Sequence, residues 1–168
     1  MSRLFIAVLM GADADLPKVQ VAIDVLTKLD VPIEVKVHSV HRTPDVIHTY
    51  VKDADKRGAA VFICCAGMAA HLAGVVASLT VKPVIGVPID AGPLDGMDAL
   101  LSTVQMPGGV PVATVAIGKT GAKNAGYLAA QILALNDKEL SDRLRMERKA
   151  SAEAVLAKDA ALQNQLSR

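Results

Sequence analysis

The chain has 168 residues, 52% of them hydrophobic but only 2% aromatic, with 18 basic against 17 acidic residues and a formal net charge of +1. That length fits one domain able to bury roughly 68–70% of its unfolded-chain surface. The balanced charge and the lack of Trp exclude the basic footprint and stacking platform of a nucleic-acid binder, and no apolar run approaches the roughly 20 residues of a membrane span.

Residues 4–10 (LFIAVLM) read as a buried first strand rather than a secretory leader, because Gly11 and Asp13 follow at once without a cleavage pattern. Residues 18–29 predict a helix, and residues 33–39 (IEVKVHS) alternate as a second strand. The next segment, PDVIHTYVKDADKRG, predicts a helix with Pro44 in its first turn and Gly58 at its stop. Residues 59–67 (AAVFICCAG) form a continuous apolar strand, followed by the small-residue helix AAHLAGVVASL at 69–79. A fourth strand at 83–88 leads through a glycine-rich loop to a short helix at 98–106. A fifth strand, from 112 or 113 to 118, precedes a helix at 122–135. The tail, 136–168, is charged and free of Gly and Pro. It predicts one or two helices packed on the domain's edge or on a neighbouring subunit.

This alternation argues for a parallel, three-layer α/β domain whose five strands are apolar blocks covered on both faces. The whole of 1–168 is read as a single domain, with a core at 1–135 and a C-terminal helical extension at 136–168. Its excess of apolar residues points to burial between subunits. Cys64 and Cys65 are neighbours on a strand and point to opposite faces, so they read as small core residues of a reducing compartment.

Open parallel sheets take ligands outside the carboxyl ends of their strands. Each predicted strand here ends in glycine or polar chemistry: GADAD, HSVHRTPD, CAGMAAHLAG, PIDAGPLDG and IGKTGAKNAG. The second is the richest. Arg42 can fork onto a phosphate or carboxylate, Ser39 adds a hydroxyl, and His41 can take and return a proton near neutral pH. Thr43 is placed to cap the helix that follows. His38 reads as packed or solvent-facing and His48 as a solvated helix residue. His71, in the first turn of an apolar helix, reads by itself as a satisfied core histidine. No GxGxxG, Walker loop or GxSxG elbow is present, and IGKTG lacks the first glycine of a phosphate loop. No His/Asp/Glu cluster has metal-ligand spacing.

With HSVHRTPD, AAHLAG, GVP, LLSTVQMPGGVPVATVAIGK and NAGYLAAQILAL in register, the chain resembles the N5-carboxyaminoimidazole ribonucleotide mutase family of de novo purine biosynthesis. This is the phosphoribosylaminoimidazole carboxylase catalytic subunit family, in its bacterial mutase branch. The likeness runs in order over residues 4–135, and the tail fits the family's C-terminal helices. SxHRTP and VQMPxGxPV are its most specific segments. The resemblance implies a three-layer α/β/α fold with a parallel, flavodoxin-like sheet of about five strands plus one or more C-terminal helices. It implies a cytoplasmic homo-octamer that acts on a small ribonucleotide and CO2 without cofactor or metal. The implied reaction interconverts N5-carboxyaminoimidazole ribonucleotide and 4-carboxy-5-aminoimidazole ribonucleotide by decarboxylation and recarboxylation, with a histidine proton shuttle.

Position by position, the resemblance implies that His41 is the shuttle and that Arg42 binds the phosphate. Ser39 and the backbone of Val40 line the ribonucleotide site, Gly11 and Ala12 form the first binding loop, and Asp15 holds the ribose hydroxyls. Ala66, Gly67, Met68 and Ala69 lie over the base and the CO2 pocket, followed by His71, with Lys119 and Asn124 in the last loop. The departures are concentrated in the same places. Ala12 and Ala14 stand where the family loop carries serines, Met68 where it carries glycine, Ala73 where it carries proline, and Asp90-Ala91 where it carries Gln-Ser. Each phosphate-binding hydroxyl lost removes a hydrogen bond worth about 1.5–3 kcal/mol. Met68 sets a side chain where the family places substrate, and Asp90 is expected to repel an anion. Two functions therefore follow from the sequence: an active mutase with an altered pocket, or a divergent relative with weak or no mutase activity that binds or processes another small anion or nucleotide.

Overall fold

Apolar runs without a polar face become the interior strands. Phe5–Met10 (β1), Ala59–Gly67 (β3) and Val84–Ile89 (β4) lie side by side, and all of their residues but Ala60, Ala66 and Gly67 are buried. Ile33–Val37 (β2) joins the free edge of β1 and Ala113–Thr114 (β5) the free edge of β4. The sheet order is β2-β1-β3-β4-β5, parallel throughout. The register sets Met10 beside Val37 and Cys65, and Cys65 beside Val87, so the carboxyl ends of four strands finish together. These coordinates are a computed structural model describing residues 4–167. The chain divides into two compact units, Met1–Ile132 and Leu133–Arg168.

The first unit carries Leu16–Lys28 (α1), Pro44–Arg57 (α2), Leu72–Leu79 (α3), Met97–Val104 (α4) and most of Gly118–Ala134 (α5). Strand side chains alternate between faces. Phe5, Ala7, Leu9, Phe62 and Cys64 form one cluster with Ile47 and Val51 of α2 and Leu72 and Val76 of α3. Ile6, Val8, Met10, Ile63 and Cys65 turn to the other face and are also buried. There α1 and α5 approach so closely that a Cβ on Gly126 would lie 3.1 Å from the Ala22 carbonyl oxygen. The result is a three-layer α/β/α, flavodoxin-like fold. Cys64 and Cys65 are buried and unbridged, on opposite faces, and burial pushes both thiols well above their ordinary range.

Several boundaries differ from the sequence expectation. β2 is not an apolar block covered on both faces: it is an edge strand with Val35, Lys36 and Val37 exposed. β5 shrinks to two residues, after which Val115 N–H still donates to the Gly86 carbonyl at 3.1 Å. α3 starts at Leu72, leaving His71 at the N-cap position, and α5 starts at Gly118, four residues early. In the second unit, Lys138–Leu166 (α6) is one helix, begun by the Asp137 carboxylate accepting the Leu140 N–H at 2.9 Å. Met146, Val155, Leu156, Leu162 and Leu166 are exposed along it.

Candidate functional site

In the order β2-β1-β3-β4-β5 the chain winds outward in both directions from the β1/β3 boundary. The loop after β1 therefore leaves toward α1 on one face and the loop after β3 toward α3 on the other, opening a crevice at the switch point. Gly11 N–H donates to the Cys65 carbonyl at 3.0 Å, and a Cβ on Gly11 would meet Ala66 at 3.7 Å, so the loop after β1 abuts β3.

One side of the crevice is built from the loops before α2 and α3. Residues 39–43 are a self-bonded turn. Thr43 N–H donates to the Ser39 carbonyl at 2.7 Å, Arg42 N–H to the Ser39 hydroxyl oxygen at 3.3 Å, and the Thr43 hydroxyl to the Ser39 carbonyl at 2.9 Å. Thr43 is thus the N-cap residue of α2 by position, but its side chain bonds back to Ser39 instead of to the helix. This turn presents His41 and Arg42 to solvent. His41 Nε2 lies 2.8 Å from His71 Nδ1, with the rings edge-on at 79°. His71 is exposed, so the core-histidine reading is corrected: its ring is turned out of the apolar helix toward His41.

That bond has a chemical consequence. A neutral imidazole carries one proton on one of its two nitrogens. If His41 Nε2 donates, its Nδ1 is a free base; if Nε2 accepts from His71, its Nδ1 carries the proton and is an acid. Switching His41 between these roles takes a proton moving along the bond, a second gained at His41 Nδ1 and a third released from His71 Nε2. The His71 loop is held from α4, where the Ser102 hydroxyl oxygen accepts the buried Ala70 N–H at 3.1 Å and donates to the Asp98 carbonyl at 2.6 Å.

The other side is charged. Asp15 ends a single 3-10 turn, Asp13–Asp15, and burial raises the pKa of its carboxyl. A hydrogen bond from the Ala12 backbone and the charge of Lys18 oppose that rise. Asp13 is exposed. Lys18 Nζ pairs with Asp90 Oδ1 at 2.8 Å and donates to the Asp90 carbonyl at 2.5 Å. The Lys18 ammonium holds the Asp90 carboxyl below the usual carboxylate range. The charge of Asp90, expected to repel an anion, is paired with Lys18. Met68 sits at φ +55°, a left-handed backbone that side chains disfavour. It is 56% exposed, and its side chain runs along Gly92.

A family model described as AIR carboxylase matches residues 5–154. The chain belongs to that family. The N5-carboxyaminoimidazole ribonucleotide mutase of Bacillus subtilis is 51% identical over 151 residues, covering 90% of this chain and 93% of that protein. The mutase of Mycobacterium leprae is 52% identical over 158 residues, covering 94% of this chain and 91% of that protein. A crystal structure of Treponema denticola PurE matches with a TM-score of 0.85 at 26% identity, covering 95% of this chain and 99% of that chain.

In this AIR carboxylase family member the fold gathers the sequence-predicted residues at the carboxyl ends of β1, β2 and β3. Val40 and Ala66 are partly buried against the α2–α3 core, while Ala69 is exposed in the loop. Lys119 and Asn124 lie exposed on α5. His38 stands apart, packed edge-on against Tyr50 and beside a 480 Å³ hollow that none of the predicted site residues lines. Ser102 and the Lys18–Asp90 pair were missed in the sequence. Ser102 sits inside LLSTVQMP, a segment used for its likeness and given no role, whereas nothing local ties Lys18 to a partner 72 residues away. Among the described residues no group of three or more His, Cys, Asp or Glu is placed to hold a metal ion, and no helix is long and apolar enough to cross a membrane.

Proposed function

We propose that the chain interconverts N5-carboxyaminoimidazole ribonucleotide and 4-carboxy-5-aminoimidazole ribonucleotide in de novo purine biosynthesis. The observation that carries this reading is the 2.8 Å bond between His41 and His71 at the switch-point crevice. It occurs in a chain about half identical to proteins named for that reaction. His41 gives a proton to the exocyclic nitrogen as the nitrogen–carboxyl bond breaks, releasing CO2 within the crevice. Ring C4 then attacks CO2, forming the new carbon–carbon bond, and its displaced proton returns to His41. One proton moves from C4 to nitrogen, and no electrons are gained or lost. Holding CO2 beside C4 makes the second step effectively unimolecular, for which effective molarities reach about 10⁵–10⁸ M. Arg42 binds the phosphate and Asp15 the ribose hydroxyls. Gly11, Ala12, Ser39 and Val40 line the ribonucleotide, and Ala66, Gly67, Met68, Ala69 and His71 lie along the base and CO2.

Substrate labelled with ¹³C in its carboxylate tests this by NMR. The label is expected to move from nitrogen to C4. No transfer by folded protein, with the Bacillus subtilis relative active alongside, would overturn the reading and favour the divergent ligand-binding relative. We also propose a cytoplasmic homo-octamer as the working form. The exposed Val35 and Val37 of the β2 edge and Val46 of α2 are apolar side chains that a subunit interface covers. Light scattering is expected to give the mass of eight chains, and a monomer mass would contradict it.

A further inference from the structure

We propose that Lys18 is an oxyanion ligand of the crevice, and that its pairing with Asp90 competes with a phosphate or carboxylate of the bound ligand. Lys18 lies in the first turn of α1, after β1, and Asp90 follows β4. β3 lies between these two strands. The ammonium that pairs with Asp90 also acts on the Asp15 carboxyl, so it lies between the loop after β1 and the loop after β4. Helix stability does not explain a cation there, because the first turn of α1 is the positive end of its dipole. What the position does supply is a cation beside a loop that offers only Ala12 and Ala14 where hydroxyls would grip an anion.

Asp90 packs against two glycines. A Cβ on Gly118 would lie 2.6 Å from Asp90 Oδ1, and one on Gly96 would lie 3.0 Å from the Asp90 Cα. The pair is only partly covered, with 34% of the Lys18 and 46% of the Asp90 side chain exposed, so an incoming oxyanion can reach the ammonium. An anion that shares Lys18 must compete with Asp90 for it. A pair that merely fastens two loops would instead lose strength equally from either end.

Titrations of inorganic phosphate and of acetate, followed by NMR on the full chain, separate these cases. Asp90→Asn is expected to tighten binding of one anion by about 3- to 10-fold, and Lys18→Met to weaken it by about 10-fold. Adding Asp90→Asn to Lys18→Met is expected to change nothing further. A gain for phosphate assigns Lys18 to the substrate phosphate and a gain for acetate to its carboxylate. Unchanged or weaker binding of both anions by a folded Asp90→Asn protein overturns the proposal, and Lys18→Arg controls for loss of the stem. Only the identity of the ligand rests on the mutase reading. Absence of label transfer by the wild-type chain would remove that reading, and the anion titrations would still decide the role of Lys18.

Discussion

On the α2–α3 side of the crevice the working groups are rings and amides locked by short hydrogen bonds: His41 on His71, Ala70 on Ser102, and the Ser39–Thr43 turn. On the α1–α5 side they are formal charges, Asp15, Lys18 and Asp90, partly open to solvent. Hydrogen-bond geometry sets what the first side does, and salt barely touches it. The second side depends on charge balance, which ions screen over about 8–10 Å. The proposed proton chemistry falls on the first, where the bond to His71 engages His41. The proposed adjustment of ligand affinity falls on the second, where partners can be exchanged.

Arg42, the formal charge carried on the histidine side, gives the largest test of this division. Arg42→Met is expected to raise KM by roughly 10- to 150-fold through loss of charged hydrogen bonds, leaving kcat nearly unchanged. A fall confined to kcat would place Arg42 in the chemistry instead. Ser102→Ala leaves the buried Ala70 N–H without a partner and is expected to destabilise the fold by about 1–3 kcal/mol in urea denaturation, with Ser102→Thr recovering most of it. If stability is unchanged, the Ser102 bond does not hold the His71 loop. His71→Phe keeps the ring but not the bond, and a loss of about 10-fold in kcat, near 1.4 kcal/mol, is expected at both low and high salt. A strongly salt-dependent loss would put His71 with the charged side.

The smallest effect is at the outer edge of the histidine side. Burial lowers the His38 pKa from its ordinary 6.5, so the unfolded chain binds this proton more readily than the folded one. Its contribution to stability is complete above pH 6.5 and is lost as pH falls toward the lowered folded value. Because the ring is partly exposed, the effect is under about 1 kcal/mol. His38→Phe is expected to flatten the urea midpoint across that window, and a slope identical to wild type would assign it to other groups.

Much of the fold was legible because local chemistry marks it. The apolar run of β3 ends at Gly67, and Pro44 and Gly58 bracket α2. The fifth strand was overread, since apolar periodicity extends beyond the two residues that lie beside β4. In the site, the HRTP turn announced itself through Arg42 and His41. The contact of His71 with His41 did not, because an apolar helix pattern says nothing of a partner 30 residues away on another element. The pairing of Asp90 was not legible for the same reason: its partner Lys18 lies on α1. Met68 could be seen to differ from the family, but no sequence pattern records its left-handed backbone or its lie along Gly92.

In the proposed reaction His41 moves the proton while other groups hold the ligand. The most direct test compares His41→Asn with wild type in two readings, kcat on N5-carboxyaminoimidazole ribonucleotide and Kd for aminoimidazole ribonucleotide. His41→Asn is expected to lose about 10²–10⁴ in kcat with Kd changed by less than about 3-fold. A folded His41→Asn protein that retains kcat, or loses affinity as steeply as rate, would contradict it.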